Sequence, residues 1–269
     1  MAAEAAGRVE FMVAGRVVAE YRSGAEVAPT LGPRPYLHPI RTLAGTLVTD
    51  AMPDDHRWHL GLSLAVQDVN RNNLWGGRTY VRDQGYTWLD DHGSITGEGF
   101  DEVGSGGFAQ RLAWRDADGK VLLAERRSMT ATYLDERSWM LELGWWLTAT
   151  QAVVLGSPAT NGRPGGAGYG GCFWRIAPGA NLALTAGELA GEEQVNGSAE
   201  AELVWRGESG GAAYTLRFSG LGSGDRWFVR TSEGSTGYPG VCAAWAYEHP
   251  RLIEAHETWH GRLRVVISD

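Results

Sequence analysis

The sequence predicts an all-β protein, a large antiparallel β-sandwich. Three observations carry this reading. Short β-branched and aromatic runs recur along the whole chain. Clusters of Gly, Ser, Asp and Pro separate them. No long helical periodicity alternates with them, as βαβ units would require.

In chain order, Val9 to Val13 and Arg16 to Tyr21 flank Ala14-Gly15 and read as a hairpin. Phe108 to Trp114 and Val121 to Thr132 read as strands joined through Asp116-Ala117-Asp118-Gly119, whose Asp-Gly pair tolerates a tight turn. Trp139 to Thr148, Cys172 to Ile176, Glu200 to Trp205, Ala213 to Phe218, Trp227 to Arg230, Val241 to Trp245 and Leu263 to Ile267 follow as strands. Only Glu188 to Val195 and Glu254 to Trp259 have room for a helical turn. The glycine cluster Asn161 to Gly171 resembles a linker, but a strand resumes directly after it. A long loop over one continuous sandwich, residues 1–269, is therefore expected.

With 269 residues, 43% of them hydrophobic, the chain is long enough to bury a core without disulfides or a structural metal. Cys172 and Cys242 are expected as buried thiols. A net charge of −8 and no basic stripe argue against a nucleic-acid partner. No apolar run is long enough for a transmembrane helix, so no membrane partner is expected. Met1 to Arg8 has neither the basic start nor the apolar run of a secretory signal, which points to the cytoplasm.

The densest polar constellation runs from Arg34 to Trp75. It holds His38 between two prolines, then Asp54-Asp55-His56-Arg57-Trp58-His59, then Gln67-Asp68-Val69-Asn70 and Trp75. In a turn, the three-residue spacing of His56 and His59 puts both rings on one side. Histidine exchanges protons near neutral pH and is also the commonest metal ligand. His38, His56 and His59 therefore read either as acid–base groups or as nitrogen ligands for a divalent metal. Proton transfer without a cofactor is the preferred reading, because H-x-x-H alone is a weak metal signature.

The 12 tryptophans divide by setting. Trp114, Trp139, Trp145 and Trp205 lie within strand patterns and read as core. Trp58, Trp75 and Trp88 lie in or near the polar segment. An indole face suits the C–H side of a sugar ring, and neighbouring Asp55, Asp68 and Asn70 suit its hydroxyls. A small-molecule carbohydrate is the expected partner. Glu125 shares a strand face with Leu123, Arg127 and Met129. That face is solvated by default; turned inward, Glu125 needs a partner and becomes a candidate acid or base. Arg175, on the strand after the glycine loop, is the matching cation. His249, His256 and His260 share no face and read as exposed.

Taken in order, Arg34-Pro-Tyr-Leu-His38-Pro, Asp55-His56-Arg-Trp-His59-Leu-Gly61, Asp68-Val-Asn70 with Trp75, Glu125-Arg126 and Gly168-Tyr169-Gly-Gly-Cys-Phe-Trp-Arg175 resemble a bacterial family labelled "methane oxygenase PmoA-like". The resemblance spans roughly residues 8 to 267 and implies a sandwich similar to the galactose-mutarotase superfold. It carries His38, His56, His59, Glu125 and Arg175 as site residues, with Tyr169 inside a matching motif. Members read Asp-His-x-His-His where this chain has Trp58 in place of the middle histidine, which argues against three neighbouring imidazoles on a metal. The methane label is not inherited, because a membrane methane oxygenase subunit spans the bilayer many times.

These residues together imply a carbohydrate-active enzyme working by mutarotation, epimerisation or elimination. His59 or His38 is then the base, His56 the acid, Glu125 an auxiliary group and Arg175 the support for a developing oxyanion. A non-catalytic sugar-binding sandwich is the alternative. Hydrolysis by paired carboxylates drawn from Asp54, Asp55, Asp68 and Glu125 is a third reading.

Overall fold

The computed structural model describes residues 7–104, 106–231 and 238–269. Met1–Ala6, which carry most of the leader reading, lie outside them. The chain is all-β, built mainly from two antiparallel sheets. The seven-stranded sheet runs Arg8–Val13, Arg16–Arg22, Tyr36–Ile40, Leu62–Ala65, Gly171–Arg175, Gly240–Ala244 and Arg226–Arg230. The nine-stranded sheet runs Leu189–Ala190, Ala180–Ala186, Glu202–Ser209, Ala212–Ser219, Thr258–Ser268, Ser138–Ala149, Val121–Asp135, Gly107–Arg115 and Ser94–Gly104. A two-residue turn closes the first hairpin with Val13 opposite Arg16, and Ala14 and Gly15 both take positive φ there. That backbone twist matches the strands it joins.

One hydrophobic cluster joins the facing sheets. Phe11, Tyr21, Leu64 and Trp174 of the smaller sheet share it with Leu112, Trp114, Leu141 and Phe218 of the larger. Tyr21 meets Phe108 edge-on at 4.7 Å, and Trp174 meets Phe218 edge-on at 5.5 Å. Each fully buried aromatic of this kind contributes roughly 1.5–3 kcal/mol by leaving water.

The strands Leu62–Ala65, Gly171–Arg175, Gly240–Ala244 and Arg226–Arg230 of the smaller sheet are buried on both faces, and this positions the site. Along Gly171–Arg175, Cys172 and Trp174 enter the sandwich core while Phe173 turns to the opposite face. Along Gly240–Ala244, Val241 and Ala243 enter the core while Cys242 and Ala244 oppose them. Trp227 and Val229 likewise enter it, with Phe228 on the far side. The outward set packs with Trp75, Tyr169 and Tyr238 into a second apolar cluster, against which Trp58 rests. Strands buried on both faces lose the apolar–polar alternation of a half-solvated sheet.

Several sequence expectations need adjustment. Of the two proposed helical turns, the first shortens to a helix at Gly191–Val195, and the second is turn followed by the strand Thr258–Ser268. Strands at Tyr36–Ile40, Leu62–Ala65, Ser94–Gly104, Val153–Gly156 and Ala180–Ala186 were not legible from composition. Cys172 and Cys242 are buried free thiols, facing opposite sides of their sheet. No helix among the described residues is long and apolar enough to cross a membrane.

Candidate functional site

On the outward face of the seven-stranded sheet lies a cavity of about 480 Å³, lined in part by His56, Trp58, His59, Trp75 and Tyr169. Strand alternation sets which side chains share this face, Phe228 and Arg230 lining the cavity itself while Phe173 and Arg175 are not among its lining. Phe173 and Arg175 are two apart on one strand and share the outward face, as do Phe228 and Arg230 on another.

The histidines come from the loop between Ala51 and Leu60, which pair as an isolated bridge. Two turn hydrogen bonds, from His56 N to Pro53 O and from His59 N to His56 O, coil this loop. They set the two imidazoles side by side, with centroids 4.7 Å apart and planes 22° from parallel. Tyr238 covers both rings at 4.7 and 4.9 Å, and Trp75 meets His59 edge-on at 5.7 Å.

A buried arginine, Arg34, anchors this loop. Arg34 is fully buried and donates to the carbonyls of Trp58 at 2.8 Å, Trp75 at 2.9 Å and Gly32 at 2.8 Å, and to Ser63 Oγ at 3.1 Å. It thereby ties the histidine loop to the Trp75 turn. Asn73 shapes that turn, its Oδ1 accepting from the amides of Trp75 and Gly76. Trp58 lies flat on the backbone of Gly77, where an added Cβ would stand 2.7 Å from the indole. Any side chain there would push the ring away.

The hydrogen-bond partners at Nδ1 distinguish the two imidazoles. His56 Nδ1 is 2.8 Å from Asp55 Oδ2. A carboxylate only accepts, so Nδ1 carries a proton, and in the neutral ring the lone pair is then on Nε2. Asp55 is held below its ordinary value: partial burial raises it, and the His56 hydrogen bond and the Arg175 charge outweigh that. Arg175 Nη1 is 3.3 Å from His59 Nδ1. A guanidinium only donates, so His59 accepts at Nδ1 and carries its proton on Nε2. Burial, then the neighbouring His56 and Arg175, hold His59 well below 6.5, so it is neutral. Arg175 also lies 3.6 Å from Asp55 Oδ1 and over the Tyr238 ring at 5.2 Å. Asp55, His56, Arg175 and His59 thus form one continuous polar chain ending in two oppositely poised imidazoles.

That burial has a consequence for stability. An unfolded His59 takes up a proton below about pH 6.5 and the folded one does not, so stability falls with decreasing pH there by up to about 1.4 kcal/mol per pH unit. Above that value the contribution is constant. Urea melts from pH 7 to 5 should show this slope, and His59→Asn should flatten it. An equal slope in the variant would show that other groups cause it.

Other predicted residues lie elsewhere. Glu125 is not in the cavity. Its face of Val121–Asp135 turns into the sandwich core, where it is fully buried and held by Arg127 Nε at 2.6 Å, Arg127 Nη2 at 2.8 Å and Trp114 Nε1 at 2.6 Å. His38 bonds Thr49 Oγ1 at 3.0 Å and does not line the cavity. Its approach to a metal with His56 and His59 is therefore not made, and no group of three or more His, Cys, Asp or Glu side chains among the described residues is placed to hold a metal ion. Asp68 accepts from Arg71 N at 2.7 Å and Asn161 Nδ2 at 2.9 Å, and Asn70 bridges Ala152 O and Val154 N. Both staple loops together and neither reaches the cavity. With Glu125 and Asp68 bonded elsewhere, two of the four acids considered for a hydrolytic pair are withdrawn. His249, His256 and His260 are exposed.

The cavity contains residues the sequence reading did not select: Gln67, Arg78, Tyr86, Arg163, Arg230 and Tyr238. Gln67 Nε2 donates to Tyr169 Oη at 2.9 Å, and Tyr169 Oη lies 2.8 Å from Tyr86 Oη. Arg163 sits in the glycine loop, the one composition shift in the chain and hence a usable signal. Arg230 and Tyr238 offered none, being separated from the histidine loop by most of the chain.

No curated protein matches the sequence. Among solved structures, a protein named "Putative aldose 1-epimerase" from Escherichia coli K12 is similar over 77% of this chain and 81% of its own, at 12% identity and a TM-score of 0.31. A likeness that loose carries no argument. The "PmoA-like" label finds no support in these matches. The model of a family described as "Family of unknown function (DUF6807)" matches residues 8–269, and the chain belongs to that family.

Proposed function

We propose that this chain is a carbohydrate-active enzyme that moves a proton with the His56–His59 pair. The observation behind this reading is that two stacked imidazoles, one bonded through Nδ1 to a carboxylate and the other through Nδ1 to a guanidinium, border one aromatic cavity. His56, with Nδ1–H given to Asp55, is the base. Its Nε2 accepts a proton from a sugar hydroxyl or from a carbon beside a carbonyl. His59, kept neutral, donates its Nε2–H to the ring or carbonyl oxygen on which negative charge grows. This reverses the roles expected from sequence. Arg175 acts through His59, fixing its tautomer. Trp58, Trp75 and Tyr238 offer faces for the C–H side of the ring, and the Tyr169–Tyr86–Gln67 network offers hydroxyl and amide partners. Mutarotation, epimerisation and elimination from a keto-sugar all begin with such a transfer.

The test is a screen by proton NMR in D₂O, following anomeric interconversion and C–H exchange in aldoses, keto-sugars and 3-keto-glycosides. The wild-type protein should accelerate one of these, and the His56→Gln/His59→Gln protein should not while still binding the same sugar. Equal binding with no acceleration by the wild type would establish the non-catalytic sugar-binding alternative.

A further inference from the structure

The charge lining the cavity is opposite to that of the protein. The chain carries 32 acidic against 24 basic residues. Yet Arg78, Arg163 and Arg230 line the cavity, and no Asp or Glu does among the described residues. Each of these guanidiniums lies over an aromatic ring: Arg78 over Trp88 at 5.9 Å, Arg163 over Tyr86 at 4.9 Å and Arg230 over Phe228 at 4.4 Å.

Among the described residues, Arg78 and Arg163 have no carboxylate within ion-pair distance. Arg230 is only 5% exposed. It donates to Val229 O at 2.7 Å and, more weakly, to Gly166 O at 3.3 Å and Gly165 O at 3.4 Å. Its nearest carboxylate, Glu192, is 3.7 Å away, and the other Glu192 oxygen is bonded to Thr231. Arg230 Nε is buried with no partner. Stacking holds the guanidinium planes, and Arg78 and Arg163, which line the cavity without a carboxylate partner among the described residues, keep their charge uncompensated beside it. Like charges in a concave apolar site raise the local concentration of a counter-ion, and an arginine fork matches a carboxylate or phosphate.

Building on the proposed sugar site, we infer that its ligand is an acidic sugar, whose carboxylate or phosphate is received by Arg78, Arg163 and Arg230 while the ring lies toward the histidine pair. The anion sits at the arginine side and the transferred proton at the imidazole side. The charged group therefore orients the sugar and takes no part in the proton transfer.

Isothermal titration calorimetry on the intact protein tests this with glucose, galactose, glucuronate, galacturonate, glucose 6-phosphate and the non-sugar anions inorganic phosphate and benzoate. At least one acidic sugar should bind tenfold or more tighter than its neutral counterpart, and added salt should weaken it. Arg163→Ala should remove about tenfold of that affinity, Arg78→Ala should act in the same direction, and Arg163→Lys should recover only part. Uronates and the phosphate ester separate the two anion chemistries. Neutral sugars binding as tightly as acidic ones, or arginine variants weakening both alike, would overturn the inference and leave the sugar site standing. Arginine-dependent binding of benzoate or phosphate with no sugar bound would overturn the sugar reading and the acidic-sugar ligand with it. No binding by any of them overturns both.

Discussion

His56→Gln should lower turnover by about 10²–10⁴-fold, the range removed with a positioned general base. Glutamine keeps much of the volume beside Tyr238 and has no basic nitrogen, so the folded cavity persists without its proton acceptor. His59→Gln should cost about 10²–10³-fold, as when one donor to a growing oxyanion is lost. Asp55→Asn should act in the direction of His56→Gln but less strongly, because an amide no longer restricts His56 to one tautomer. The double His56→Gln/His59→Gln protein decides whether the pair works as a unit. Groups acting in one step are strongly non-additive, so the double variant should lose little more than the worse single one. Independent multiplication of the two losses, or wild-type turnover in His56→Gln, would break the assignment. Sugar affinity measured alongside should change little, since the aromatic walls carry most of the contact.

How much of this was legible before folding depends on the range of the interactions involved. Hairpins such as Arg8–Val13 with Arg16–Arg22 are written locally, in β-branched residues and a two-residue turn. Ser94–Gly104 was missed because it is an edge strand with three glycines and register shifts against its neighbour, so its pattern is broken. The His56–His59 pairing could be read because a three-residue turn is a short-range object. Trp58 and Trp75 could be read because indoles among polar residues suggest a wall with a ligand on it. Arg230 and Tyr238 could not, because sheet order alone brings them to the histidine loop. His38 lies within the strand Tyr36–Ile40, bonded to Thr49 and away from the cavity lining, and a proline-flanked histidine says nothing about its neighbours in space.

Glu125 is the sharpest instance, and it gives the largest expected effect on stability. Alternation correctly grouped it with Leu123, Arg127 and Met129, but alternation cannot say which layer a buried face meets. It meets the sandwich core, where bidentate Arg127 and the Trp114 indole satisfy it. Tyr21 and Gln110, joined by a hydrogen bond, lie close by. Glu125→Gln leaves a buried guanidinium uncompensated, and removing one partner of such a pair costs about 3–5 kcal/mol. Against a typical total of about 5–15 kcal/mol, that is enough to shift the urea midpoint far down with little change in slope. Replacing both partners, as in Glu125→Gln/Arg127→Met, removes the stranded charge and should recover much of the loss. A single variant as stable as the wild type would show that the pair is not dry. A double variant no better than the single would show that packing around Trp114, and not the charge, sets the cost. If Glu125 instead served the sugar chemistry, its loss would suppress turnover in protein that remains folded, and the Arg127→Met exchange would restore none of it.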